Sequence, residues 1–140
     1  MITIEEGIVL RLKAHTGLKA LIVERIHPLK LPQSVTLPAV TYQRISTPRE
    51  ITHDQGNDAS DGGELAMPRF QFTAWAETFA SAKAVSKQIR KALNGYKGTL
   101  GTGQNTVKVY GMLAESEMDF YDPDSNLHWT AVDYFIHHEE

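Results

Sequence analysis

The sequence contains no cysteine. Disulfides, thiol nucleophiles and cysteine-ligated zinc are therefore excluded, and the composition suits a reducing compartment. Long apolar runs are missing as well, none approaching the ~18–20 residues of a membrane-spanning helix. There is no basic surplus: the net charge is −3, whereas a dedicated nucleic-acid binder usually carries an excess or patch of cations. The opening stretch MITIEEGIVLRLKAH places Glu5 and Glu6 where a secretory leader would begin its apolar core, and it has no basic flank before them. Neither a G-x-S-x-G elbow nor an H-E-x-x-H motif occurs, so no nucleophile or zinc constellation is announced.

What remains is an ordinary soluble composition, with 41% hydrophobic and 22% charged residues. At 140 residues a single domain, 1–140, is expected, large enough to hide roughly 68–70% of its unfolded surface. Thr3 and Glu6 have capping-box spacing, and Ile4, Ile8, Val9 and Leu12 follow at helical intervals. Gly17 is expected to break that helix, and LKALIVERI to lead into a short extended piece. Pro28, Pro32 and Pro38 keep residues 28–38 from forming a regular helix or a central strand.

PAVTYQRIS, residues 38–46, is β-branched and aromatic and reads as a strand. RFQFTAWAE alternates, with Phe70, Phe72, Ala74 and Ala76 on one face and Arg69, Gln71, Thr73, Trp75 and Glu77 on the other. Residues 79–94 carry the clearest helical stripe, Phe79, Ala82, Val85, Ile89, Ala92 and Leu93. Asn94-Gly95 supplies its C-terminal stop. TVKVYGMLAE and LHWTAVDYFIH read as two further strands joined through YDPDSN. The expected class is α+β, an antiparallel sheet of about four to five strands with a mixed edge, two main helices on one face, and a long loop between the second and third strands.

Several residue groups invite chemistry. HDQGNDASDGGEL gathers His53, Asp54, Asp58, Asp61 and Glu64 around glycines, without the spacing of a calcium loop. Asp122, Asp124, Asn126 and Asp133 fit some calcium-loop positions, but Leu127 stands where the pattern needs glycine, so a hairpin turn is the better account. Gly98, Gly101 and Gly103 follow a helix instead of preceding one. They therefore read as a flexible connection and not as a phosphate loop. Glu115, Glu117 and Asp119 can share one face of an extended chain, which reads as a charged, solvated edge. His137 and His138 are adjacent in a strand and leave opposite faces. Lys83, Lys87, Arg90 and Lys91 complement the C-terminal end of their helix and keep its outer face wet. No catalytic residue, cofactor or metal is assigned. Trp75 and Arg69, on the less apolar strand face, belong to residue types enriched at protein interfaces. A second covering layer within the monomer would also place them there.

Three stretches taken in order, LPAVTYQRIST, PRFQFTAWAET with AKAVSKQIRKAL, and LAESEMDFYDPDSNLHWTAVDYFIHHEE, resemble the small tail-completion, or tail-terminator, proteins of long-tailed bacteriophages and prophages. The resemblance runs from the first helix to the last strand. It implies a non-enzymatic virion protein assembled in the host cytoplasm. Its subunits would form a ring, typically of six, that caps the tail tube at the head-proximal end and docks the head-tail connector. DNA would pass through the lumen without sequence-specific binding. A connector (stopper) or tube-like role on the same fold is the alternative, and a small metal-dependent enzyme using the 53–64 acids is the rival from another class. Residues 49–67 are expected to be a mobile loop that orders on assembly. Arg49, His53, Asp54, Asp58, Asp61, Glu64, Arg69 and Trp75 are the candidate contacts to the ring neighbour or the tube.

Overall fold

A computed structural model of the chain describes residues 2–46, 49–50 and 65–139. Helix α1 (Ile4–Ala14) opens as the capping pattern requires. The Thr3 hydroxyl accepts from the Glu6 N–H at 3.1 Å and donates to the Glu6 carboxylate. Glu5 and Glu6 in the first turn and Arg11 and Lys13 in the last both complement the helix dipole. The break falls at His15, whose backbone is extended, and not at Gly17. Gly17 lies inside a second helix, α2 (Thr16–Ile22). A Cβ there would run into the side-chain amide of Gln88, so this glycine permits close approach of two helices.

Strand β1 (Ile26–Pro28) pairs in parallel with β2 (Ala39–Ser46), and Pro28 closes an edge strand, where a missing donor costs nothing. The ladder between β2 and β5 (Arg69–Ala76) is antiparallel. It is prolonged by β3 (Arg49–Glu50) against β4 (Leu65–Ala66), so strand pairing enters both ends of the segment expected as loop. Helix α3 (Phe79–Leu93) starts at Thr78, whose hydroxyl accepts from the Ser81 N–H. It buries Ala82, Val85, Ile89, Ala92 and Leu93. Phe79 departs from the expected stripe. It is 50% exposed and lies 6.5 Å from the His128 ring.

After α3, Gly95 takes a positive φ of 81° and donates to Met112 O at 2.7 Å. Strand β6 (Gly98–Thr102) then turns back into β7 (Asn105–Asp122), which pairs with β8 (Leu127–Glu139). The expected flexible connection is thus a hairpin. Gly103, φ 61°, takes the first central position of a two-residue turn, where glycine is favoured. Gly101, φ 95°, sits so close to the Asn105 carbonyl that a Cβ would overlap it.

Among the described residues the result is the expected α+β class, with a third, short helix α2 beside the two main ones and a mixed sheet of eight strands, somewhat more than the four to five expected. Strands β3 and β4 prolong β2 and β5, leaving six rows in the order β1, β2, β5, β8, β7, β6. One core joins the three helices to Phe70, Phe72, Val132, Tyr134 and Ile136 of the sheet. Phe72 is its aromatic hub, with ring centroids 5.6 Å from Tyr134, 6.2 Å from Phe70 and 6.3 Å from Tyr42. Burial pushes the Tyr134 phenol well above its ordinary value, so this ring stays neutral.

Candidate functional site: the helix-free face of the sheet

Strand parity decides which side chains share a face. Phe70, Phe72 and Ala74 of β5 point to the helices, together with Val132, Tyr134 and Ile136 of β8. Arg69, Gln71, Thr73 and Trp75 therefore point away, as the alternation predicted. Cross-strand register adds Trp129, Ala131, Asp133 and Phe135 of β8, and Ser116, Met118 and Phe120 of β7. Among the described residues no helix packs on this second face.

The face has a polar half and an aromatic half. In the polar half Asp133 is buried and gathers its neighbours. Arg69 donates to Asp133 Oδ2 from Nε at 3.0 Å and also from Nη2. Gln71 donates to Asp133 Oδ1 at 3.1 Å. Arg69, proposed as an interface cation, is therefore partly committed inside its own subunit. In the aromatic half Trp75 stacks on Trp129 with centroids 4.7 Å apart, and Phe120 stacks on the same indole at 5.5 Å. The Trp75 indole N–H donates to the Thr41 hydroxyl at 2.9 Å, which fixes the ring and leaves no unsatisfied donor. Apolar surface continues from the stack along β7 through Phe120, 40% exposed, to Met118, 53% exposed, and resumes beyond the polar Ser116 at Leu113, 61% exposed. A contiguous exposed apolar strip rimmed by polar groups marks an interaction surface.

Beyond Val109 β6 no longer pairs with β7, which runs on as the open edge of the sheet beside β8. Strand β8 is itself still paired with β5 as far as His128, and we call this edge hairpin the arm. Its register shifts at Glu115, a bulge that reverses parity. Before it Met112 and Ala114 match core-facing Ile136 and Tyr134, and after it Glu117 and Asp119 match Val132 and Thr130. Those two acids consequently meet α3. The Lys83 ammonium donates to Glu117 Oε2 at 2.5 Å and to Asp119 Oδ1 at 3.2 Å. These are not merely solvated edge charges, as the sequence suggested. The hydrogen bond to Glu117 raises the Lys83 pKa against the opposing effect of burial, and the one to Asp119 adds to the rise.

The arm closes on a turn through residues 123–126. Asp122 Oδ2 accepts from the Ser125 hydroxyl at 2.7 Å, and Oδ1 from the Asp124 N–H at 3.2 Å. Asn126 supplies the positive φ of 62°. Asp122, Asp124 and Asn126, which resembled calcium ligands, thus form a turn, while Asp133 accepts from Arg69 and Gln71. The Ser125 hydroxyl, then the Asp124 amide, hold the Asp122 carboxyl below its ordinary value of 3.8. The stabilisation is present above that value and is lost as pH falls through the lower, folded-state value. A carboxyl NMR titration of Ser125→Ala should move Asp122 upward, toward the ordinary value. An unchanged midpoint would remove the hydroxyl as the cause.

Of the residues proposed from sequence, Trp75 and Arg69 share this face. Arg49 begins β3 opposite Ala66. His53, Asp54, Asp58, Asp61 and Glu64 lie outside the described residues. Sequence reasoning missed Trp129, Phe120, Met118 and Asp133. Counting outward from the closing pair Asp122 and Leu127 puts Phe120 opposite Trp129, so a correctly sized turn would have found the stack.

The family model described as "Tail completion protein gp17" matches residues 6–139. Among solved structures, a chain from "Virion of native gene transfer agent (GTA) particle" aligns with a TM-score of 0.72 at 16% identity, covering 98% of this chain and 95% of that one. At that identity the likeness shows the fold alone. No curated protein matches the sequence.

Proposed function

Since the chain belongs to the tail completion protein gp17 family, and is thereby a structural protein of the phage tail, we propose that it caps the tail tube as a ring. The ring ends tube polymerisation at the head-proximal end and offers its outer surface to the head-tail connector. DNA crosses the lumen without sequence readout.

The observation that carries this reading is the helix-free face. Apolar strips of this kind are hidden when a protein works as part of an assembly. The Trp75, Trp129 and Phe120 stack is rigid, with two side-chain torsions per residue, so ordering it at an interface costs little entropy. Closed cyclic symmetry turns such a surface into a defined end instead of a filament. A structural role follows from assembly alone.

The test is light scattering behind size exclusion, with and without the cognate tube protein, on the wild type and on Met118→Ser/Phe120→Ser. The wild type should give one discrete species near six subunit masses, free or on the tube end. The double variant should stay monomeric and folded, its melting temperature lowered only by the loss of the Phe120 stack on Trp129. Open polymers of the wild type would replace the cap with a tube-like role. Assembly of the variant indistinguishable from wild type would move the interface off this face.

A further inference from the structure

Charge is segregated along this chain: in the fold Lys83 and Arg90 of α3 meet Glu117 and Asp119 of β7, while the acids at the β7–β8 turn and the cations around α1 and β6 lie apart. Residues 7–23 and 78–114 contain nine cations and no acid, while residues 115–124 contain five acids and no cation. The first two segments supply α1 after its acidic first turn (Glu5, Glu6), α2, α3, β6 and the first part of β7, and the third supplies the distal part of β7 and the start of its turn. From Val109, where β6 pairing ends, to the turn after Asp122, β7 advances by about 40 Å at ~3.3 Å per residue. Within one subunit the acidic tip therefore cannot reach the basic layer around α1 and β6.

That basic layer holds a groove of about 430 Å³ between α1, α3 and β6. Its walls include Leu10, which is 52% exposed, and Arg11, His15, Lys91 and Tyr96. Arg11 is held in place by donating to Ala92 O at 2.6 Å with its guanidinium 3.7 Å above the Tyr96 ring. Lys91, and Lys13 on the adjoining surface, have no ion-pair partner among the described residues. The groove thus offers an apolar floor edge, a fixed planar cation and two uncommitted ammonium groups. The arm tip offers the matching set: Tyr121, half exposed, beside Asp122 and Asp124, while Glu117 and Asp119 are already taken by Lys83.

We infer that the tip of the β7–β8 arm of one subunit docks into the α1–α3–β6 groove of a second copy of this chain. The inference rests on the ring reading for the presence of a neighbour, and deepens it by naming the two surfaces. The contact is head to tail, because its two surfaces are different patches about 40 Å apart on each subunit. A contact of that type generates a ring when its rotation closes. Complementary charge sets partner orientation and speeds encounter, and it makes the contact sensitive to salt.

A charge swap tests it on the full-length chain. The arm variant is Asp122→Lys/Asp124→Lys and the groove variant is Lys13→Glu/Lys91→Glu. Lys91 and Asp124 are exposed and Lys13 and Asp122 half-buried, and circular dichroism melts establish that each variant folds. In low salt each variant alone should self-associate about tenfold or more weakly than wild type in sedimentation velocity. An equimolar mixture, and the chain carrying all four changes, should recover assembly. Wild-type-like assembly of either variant alone, or folded variants that fail to recover on mixing, would overturn the docking. Rings that survive both reversals would do so while leaving the ring reading intact. A wild type that stays monomeric to millimolar concentration and on the tube end would overturn both. If the groove changes abolish duplex DNA binding and leave self-association untouched, the basic layer serves DNA and the docking falls.

Discussion

Phe72→Ala should destabilise the subunit by about 3–5 kcal/mol, the range for emptying a large buried aromatic site. Phe72 is 2% exposed and its ring meets Tyr42, Phe70 and Tyr134. Two effects add. The lost ring no longer contributes its transfer from water, and the three surrounding rings sit on strands whose register holds them in place, so the space cannot close. Strand β5 lies between β2 and β8, so a local shift would have to be shared by both ladders. A urea transition read by far-ultraviolet circular dichroism should move to lower denaturant with an unchanged slope. Phe72→Leu should recover most of the loss. A change below about 1 kcal/mol for the alanine would mean that the core repacks around the hub.

Asp133→Ala should cost about 1.5–3 kcal/mol through a different mechanism, the loss of hydrogen bonds to a buried charge. Asp133 joins three strands on the helix-free face: Arg69 and Gln71 of β5 donate to it, and Ser116 of β7 lies at 3.4 Å. Without it Arg69 can turn to water, its side chain being 36% exposed, whereas Gln71 loses its acceptor. Arg69→Ala should therefore cost less than Asp133→Ala, and a double-mutant cycle should return a coupling of about 1 kcal/mol or more. Equal single costs and no coupling would show the pair to be a surface contact of the ordinary weak kind. Met118 and Phe120 lie on the same face, so the Asp133 variant also reports whether assembly needs that face to be flat and ordered.

The sequence was most legible where one physical rule acted alone. Strict alternation placed Phe70 and Phe72 inside and Trp75 outside. The spacing of Val85, Ile89 and Leu93 located α3, and the turn formers after Tyr121 marked the β7–β8 hairpin. Legibility failed where tertiary structure overrode a local signal. Gly98, Gly101 and Gly103 look like loop residues, yet a close backbone approach and a tight turn require them within a hairpin. Gly17 looks like a helix breaker, yet it makes room for Gln88. Phe79 has stripe spacing but falls at the first turn of α3, off the end of the core. Of the proposed site, Trp75 and Arg69 could be placed by parity. The partners Trp129, Phe120 and Asp133 depend on cross-strand register, which strand composition does not encode and turn length does.

The single extra residue at Glu115 is what the ladder with β8 absorbs. Ala114 and Ser116 oppose the consecutive residues Tyr134 and Asp133, so losing that one codon would straighten the strand and leave Met118 and Phe120 outward and Glu117 and Asp119 toward Lys83. Pairing, and not the count of residues along β7, holds these faces. A slip of the ladder by one residue would instead exchange them, turning a greasy contact surface into an acidic one in a single step. For a subunit that must fit one neighbour and refuse others, the length of the turn that sets this register is as heritable a specificity trait as any of its side chains.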